Sequence, residues 1–147
     1  MQFLKIIIRS IALILIATAI LKVLEVTKQN AYFEEPDAVT GFLSNRQMLL
    51  LAAAFEAGVA CYLLRSKSIK ISSWVILWFC SIVAVYKIFL KMTYATVPCA
   101  CLGIITKALK LSTHQAEVVT WSLLCLFSAA AAWCLYREKY SLSNLKT

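Results

Sequence analysis

The sequence predicts an all-α polytopic membrane protein: one antiparallel bundle of four transmembrane helices, with N- and C-termini both on the cytoplasmic side. Three observations predict it. Hydrophobic residues make up 62% of the 147 and charged ones only 15%, with a mean hydropathy of +0.80; a soluble domain is nearer half apolar and a quarter charged. Four apolar runs are each close to the length that crosses a bilayer. The net charge of +8 gathers at the ends of those runs rather than on a basic face interleaved with aromatics. That distribution names a lipid bilayer, not nucleic acid, as the surrounding partner.

The first span reads from Ile6 to Leu24, with Lys5 and Arg9 flanking its start. Ala17-Thr18-Ala19 resembles a signal-peptide cleavage site, but apolar residues continue through Ile20, Leu21, Val23 and Leu24, so we expect this span to be retained. A polar connection from Glu25 to Arg46 follows, with a net charge of −2. Glu35-Pro36-Asp37 marks a turn or the start of a short helix there, and Tyr32, Phe33, Phe42 and Leu43 are suited to the membrane interface. The second span, Met48 to Leu64, is interrupted once by Glu56, and a short basic connection, Arg65 to Lys70, leads to the third span at Ile71 to Leu90. A second long connection, Lys91 to Gln115, precedes the fourth span at about Val118 to Tyr136.

Basic residues near the span ends place the N-terminus, the Arg65–Lys70 connection and the C-terminal tail in the cytoplasm, and the two long connections outside. Lys91, Lys107 and Lys110 make the second of these positive as well, which opposes the rule in part. No internal repeat interrupts the series, so the whole of residues 1–147 reads as a single domain. Ala52-Ala53-Ala54 with Gly58, and the run Ala129 to Ala132, supply small faces on which helices approach closely.

The stretch with chemical character is Val97-Pro98-Cys99-Ala100-Cys101-Leu102-Gly103, in the second long connection. Of six cysteines, four lie inside apolar runs, so Cys99 and Cys101 are the pair placed to meet an aqueous phase. A disulfide between residues two apart closes a small, strained ring, and strained exposed disulfides are the exchanging ones. Leu102, Ile105, Ala108 and Leu109 then recur at helical spacing, as in a short surface helix whose N-terminus would favour thiolate at Cys101. The competing reading is a static loop staple. His114 is the one histidine, and Ser112 with Gln115 fits a capping box, so no metal site is expected.

Glu56 lies mid-span, where an ionisable group is by default a functional candidate. Lys22 and Lys87 lie in the outer thirds of their spans, so all three could meet below the thiol connection as a buried polar cluster. A Glu56–Lys22 or Glu56–Lys87 pair would serve either helix packing or proton movement, and both lysines could instead snorkel to the interface. Cys61, Cys80, Cys125 and Cys134 read as small core hydrophobes, although Cys61 and Cys134 share a depth that would permit an inner pair. Trp74, Trp78, Trp121, Trp133 and Tyr136 read as interfacial aromatics. No cofactor site is evident; a quinone between the helices would be an analogy to other disulfide-generating membrane proteins.

Tyr86-Lys87 late in the third span, followed by Cys99-Ala100-Cys101-Leu102-Gly103, resembles the MauE/DoxX-like family of four-helix membrane proteins. Lys22 and Phe55-Glu56 fall at that family's polar positions, and the resemblance covers nearly the whole chain. Only the Cys-x-Cys-x-Gly element is distinctive. Family members more often carry Gly between the cysteines and Phe after them, where this chain has Ala100 and Leu102. The resemblance implies a redox-associated protein of the bacterial inner membrane. In MauE the implied role is to help a periplasmic partner acquire its disulfides, as in maturation of methylamine dehydrogenase. The expected function is therefore thiol–disulfide exchange between Cys99/Cys101 and an extracytoplasmic thioredoxin-like or client protein. The alternative is a non-catalytic subunit of a larger membrane complex.

Overall fold

The computed structural model describes residues 2–27, 31–93 and 113–143. Among them are four long helices: α1 (Gln2–Val26), α2 (Asn45–Arg65), α3 (Ile69–Met92) and α4 (Thr113–Ser143). A 3-10 turn at Ala31–Glu34 lies between α1 and α2. All four helices are long and apolar enough to cross a membrane. The shortest, α2, has 21 residues, about 30 Å at 1.5 Å per residue, which matches a hydrocarbon core. Each expected span lies inside a helix that extends beyond it at both ends, because polar residues at the margins continue the backbone ladder.

The helices are antiparallel along the chain. The start of α1 (Lys5, Arg9) shares a cavity with the end of α2 (Leu63 to Arg65) and the start of α3 (Ile69, Ser72). At the other end Lys91 of α3 meets Glu117 of α4, 3.9 Å apart. The packing is strongest between α1 and α2 and between α3 and α4.

Periodicity explains the first pairing. The buried stripe of α1 is Ile8, Ala12, Leu15, Ala19, Lys22 and Val26; that of α2 is Leu49, Ala53, Glu56, Ala60 and Leu63. Steps of three and four keep each stripe on one face, with alanine every seventh residue on both helices. Small side chains there bring the two backbones close, so the helices gain dispersion contacts along the seam. Large residues face outward instead, among them Leu13, Trp74, Trp78 and Leu126.

The main apolar core joins Ile11 and Leu15 of α1, Val59 and Leu63 of α2, Ile76 and Phe79 of α3, and Leu124 and Phe127 of α4. A smaller cluster of Val26, Phe33 and Leu49 closes the other end of the α1–α2 pair. Phe55 stacks against Trp78 and Phe79, with centroids 5.9 and 5.7 Å away, and ties α2 to α3. The short basic connection is as expected: Ser66 caps α2 through its N–H to the Tyr62 carbonyl, and Ser68 caps α3.

The acidic connection is more ordered than its composition implies. Asp37 N–H donates to the Leu43 carbonyl at 2.7 Å, Gly41 N–H to the Asp37 carbonyl at 2.8 Å, and Asn45 N–H to the Glu35 carbonyl at 2.9 Å. Gly41 takes φ +70°, a left-handed conformation in which a Cβ is strained. Ser44 and Gln47 form a reciprocal capping box that starts α2. Of the expected interfacial aromatics, Phe33 is buried and Phe42 is exposed.

Candidate functional site

Lys22 and Glu56 stand at stripe positions of α1 and α2, so the rotation that buries the alanines also turns both charges inward. Lys22 Nζ is ion-paired with Glu56 Oε1. Thr18 Oγ1, one turn before Lys22, lies 3.0 Å from Glu56 Oε2 and 3.0 Å from the Leu15 carbonyl. Both carboxylate oxygens are therefore engaged, and Lys22 is only 5% exposed. Of the two pairings open to Glu56, the structure forms the one with Lys22.

Lys87 departs from the expected three-residue cluster. It is 5% exposed, and its Nζ lies 5.5 Å from the Trp121 ring centroid, a cation–π contact between α3 and α4. Among the described residues Nζ has no hydrogen-bond partner. Both lysines are buried within the bundle. Trp121, expected at the interface, is half-buried as the lid over Lys87, whereas Trp74, Trp78, Trp133 and Tyr136 are exposed.

Beyond Trp121 lies an open groove of about 470 Å³ lined by Lys91, His114, Glu117, Trp121, Ser122 and Cys125. It sits at the bundle end where α3 stops at Met92 and α4 begins at Thr113. Both anchor points of the connection carrying Cys99 and Cys101 are thus at this end. Cys99, Cys101, Gly103, Ser112 and the amphipathic segment around 102–110 lie outside the described residues.

The other cysteines divide by face. None of Cys61, Cys80, Cys125 and Cys134 is in a disulfide; Cys80 and Cys134 are buried, Cys61 and Cys125 exposed. An inner Cys61–Cys134 pair is therefore not formed. Depth alone placed them together, but Cys61 stands outside the α2 stripe and Cys134 within the α4 core face.

Asp37 is a buried polar residue that sequence reasoning did not single out. It is 3% exposed, accepts from the Val39 and Thr40 N–H groups at 3.1 and 2.9 Å through Oδ1, and accepts from the Tyr86 hydroxyl at 2.7 Å through Oδ2. Burial pushes its carboxyl up, but hydrogen bonds from Thr40, Tyr86 and Val39 outweigh burial and hold it below the ordinary value of 3.8. The Asp37-x-x-Thr40 spacing was the available signal, since such a turn recruits its own backbone donors. Tyr86 precedes Lys87, so this contact clamps the α1–α2 connection onto the last third of α3.

No family model, curated protein or solved structure matches the chain. The resemblance to MauE/DoxX-like proteins rests on the residues quoted for it above.

Proposed function

We propose that the chain is a membrane-embedded thiol–disulfide exchange component, acting through Cys99 and Cys101 at the outer face of a bacterial inner membrane. The observation that supports this reading is the place of the Cys-x-Cys element in the sequence. In the sequence it falls between α3 and α4, and the ends of those helices, Met92 and Thr113, flank the bundle end where buried Lys87 stands behind Trp121. A cation in a low-dielectric setting favours thiolate over thiol nearby. The four apolar helices supply the membrane anchorage that the reading needs.

The exchange balances as two displacements. A client thiolate attacks one sulfur of a Cys99–Cys101 disulfide; that S–S bond breaks, the other sulfur leaves as thiolate, and a mixed disulfide forms. The client's second thiolate then displaces the chain, leaving an oxidised client and a reduced pair that has gained two electrons. The disulfide of an extracytoplasmic thioredoxin-like protein, running the same steps, accepts those electrons and restores the pair.

Single Cys99→Ser and Cys101→Ser variants test this in cells. One of them should accumulate a reductant-sensitive adduct on a non-reducing gel that the double variant lacks. If neither single variant captures a partner, the exchange reading fails.

A second reading, a non-catalytic subunit of a larger membrane complex, is favoured by the Lys22–Glu56–Thr18 set. Its members satisfy one another and need no chemistry to account for them. Stoichiometric co-purification with a larger assembly in mild detergent, without adducts, would support it.

A further inference from the structure

At the bundle end opposite Met92 and Thr113, α1, α2 and α3 border an open cavity of about 220 Å³. A single water needs roughly 10–15 Å³ of such space, so the cavity holds far more than solvent at one point. Four of its lining side chains are cationic: Lys5 and Arg9 from α1, Arg65 from the last turn of α2, and Lys67 from the α2–α3 turn. No carboxylate lines it, and none of the four cations makes an ion pair among the described residues.

The backbone adds to this charge. Ser68 caps α3 here, with its Oγ accepting from the Ile71 N–H at 3.4 Å. Hydrogen-bond donors at a helix start and the positive end of its dipole attract anions. Beside the cavity, Phe3, Ile6, Leu64 and Ile71 are exposed large apolar residues near the same helix ends. Four uncompensated cations around a cavity, bordered by lipid-exposed apolar side chains, match an amphiphile with an anionic head.

We propose that this cavity binds a phosphate-bearing anion, the headgroup of an anionic phospholipid, with Arg9 and Arg65 as its principal contacts. Arginine presents a planar fork of donors that suits phosphate oxygens in pairs, while Lys5 and Lys67 supply point charges. The acyl chains run along the outward faces of α1 and α3. Basic pockets between helices at a membrane surface hold lipid headgroups by this same chemistry.

The full chain in a neutral detergent, titrated with short-chain phosphatidylglycerol and read by native mass spectrometry, tests the site. Phosphatidylglycerol should bind at least about tenfold more tightly than phosphatidylcholine of the same chain length. Arg9→Gln, Arg65→Gln and Lys67→Gln should each weaken it on the order of tenfold, the usual worth of a charge-assisted contact. Lys67 lies in a turn outside the core, so its variant answers even where an arginine variant unfolds. Lys70→Gln removes a charge from the same end but not from the cavity, and should change affinity by less than about twofold. Equal weakening by Lys70→Gln, or equal binding of phosphatidylcholine, would overturn the proposal. Inorganic phosphate forms the third arm: if it binds through Arg9 and Arg65 while phosphatidylglycerol does not, the lipid assignment falls to a soluble phosphate source.

Discussion

Lys22 of α1 and Glu56 of α2 form an ion pair inside the bundle, with Thr18 on the second carboxylate oxygen. The pair occupies positions that periodicity assigns to the seam, so removing one partner leaves a charge with no route to water. We expect Glu56→Ala to destabilise the protein by about 3–5 kcal/mol, the usual cost of breaking a buried pair from one side. Lys22→Met combined with Glu56→Leu should recover most of that loss, since two apolar side chains carry no desolvation penalty. Thermal unfolding of Glu56→Ala, of Lys22→Met and Glu56→Leu singly, and of the double variant in detergent gives the comparison, and losses that add from the two singles to the double would show that the two charges do not interact.

The alanine spacing of the same seam gives a steric prediction. Ala12 and Ala60 are fully buried between α1 and its neighbours, so a larger side chain must separate the helices. Ala12→Leu or Ala60→Leu should cost about 1–3 kcal/mol through overpacking. Ala54→Leu, on an exposed face of α2, should be close to silent in the same denaturation measurement.

How much of this was legible beforehand varies with the kind of signal. The four helices were, because hydropathy over a span-length window is a one-dimensional property. The importance of Glu56 was too, since a carboxylate mid-span is costly wherever it faces. Which lysine pairs with it was not: depth admits both, and the choice depends on helix rotation, which the alanine seam sets. Cys61 and Cys134 failed for the same reason, sharing a depth but not a face. Asp37 was read only as part of a turn, because an acidic connection reads as solvated, whereas its turn and a contact with Tyr86, 49 residues away, bury it.

That contact predicts a pH dependence. Asp37 is held below its ordinary value in the folded state, so ionised Asp37 contributes stability that is fully present above the unfolded value of 3.8 and is lost as pH falls through the lower folded value. Tyr86→Phe removes one donor and should raise the Asp37 pKa toward the ordinary value. It should also cost about 1.5–3 kcal/mol, as for a hydrogen bond to a charged group. Stability against pH for both proteins should converge below the folded titration, where neutral Asp37 gains little from the hydroxyl. Curves that stay parallel as pH falls below 3.8 would place the effect of Tyr86 elsewhere.

Lys87 poses the opposite case to Glu56, since its ammonium is buried against Trp121 without a hydrogen-bond partner among the described residues. The cation–π contact returns about 0.5–2 kcal/mol, less than the several kcal/mol that burial of an ammonium costs. Lys87→Met keeps the length and shape of the stem while removing the charge, so it should raise the unfolding temperature. The same substitution should slow thiol–disulfide exchange at Cys99 and Cys101 if the ammonium favours thiolate there, and the loss should shrink as pH rises and the thiols ionise unaided. Stability and alkylation rate against pH, measured on one preparation, separate the two roles. A variant that is destabilised overturns the idea of an uncompensated charge, and one whose thiols react at the parent rate removes Lys87 from the exchange chemistry.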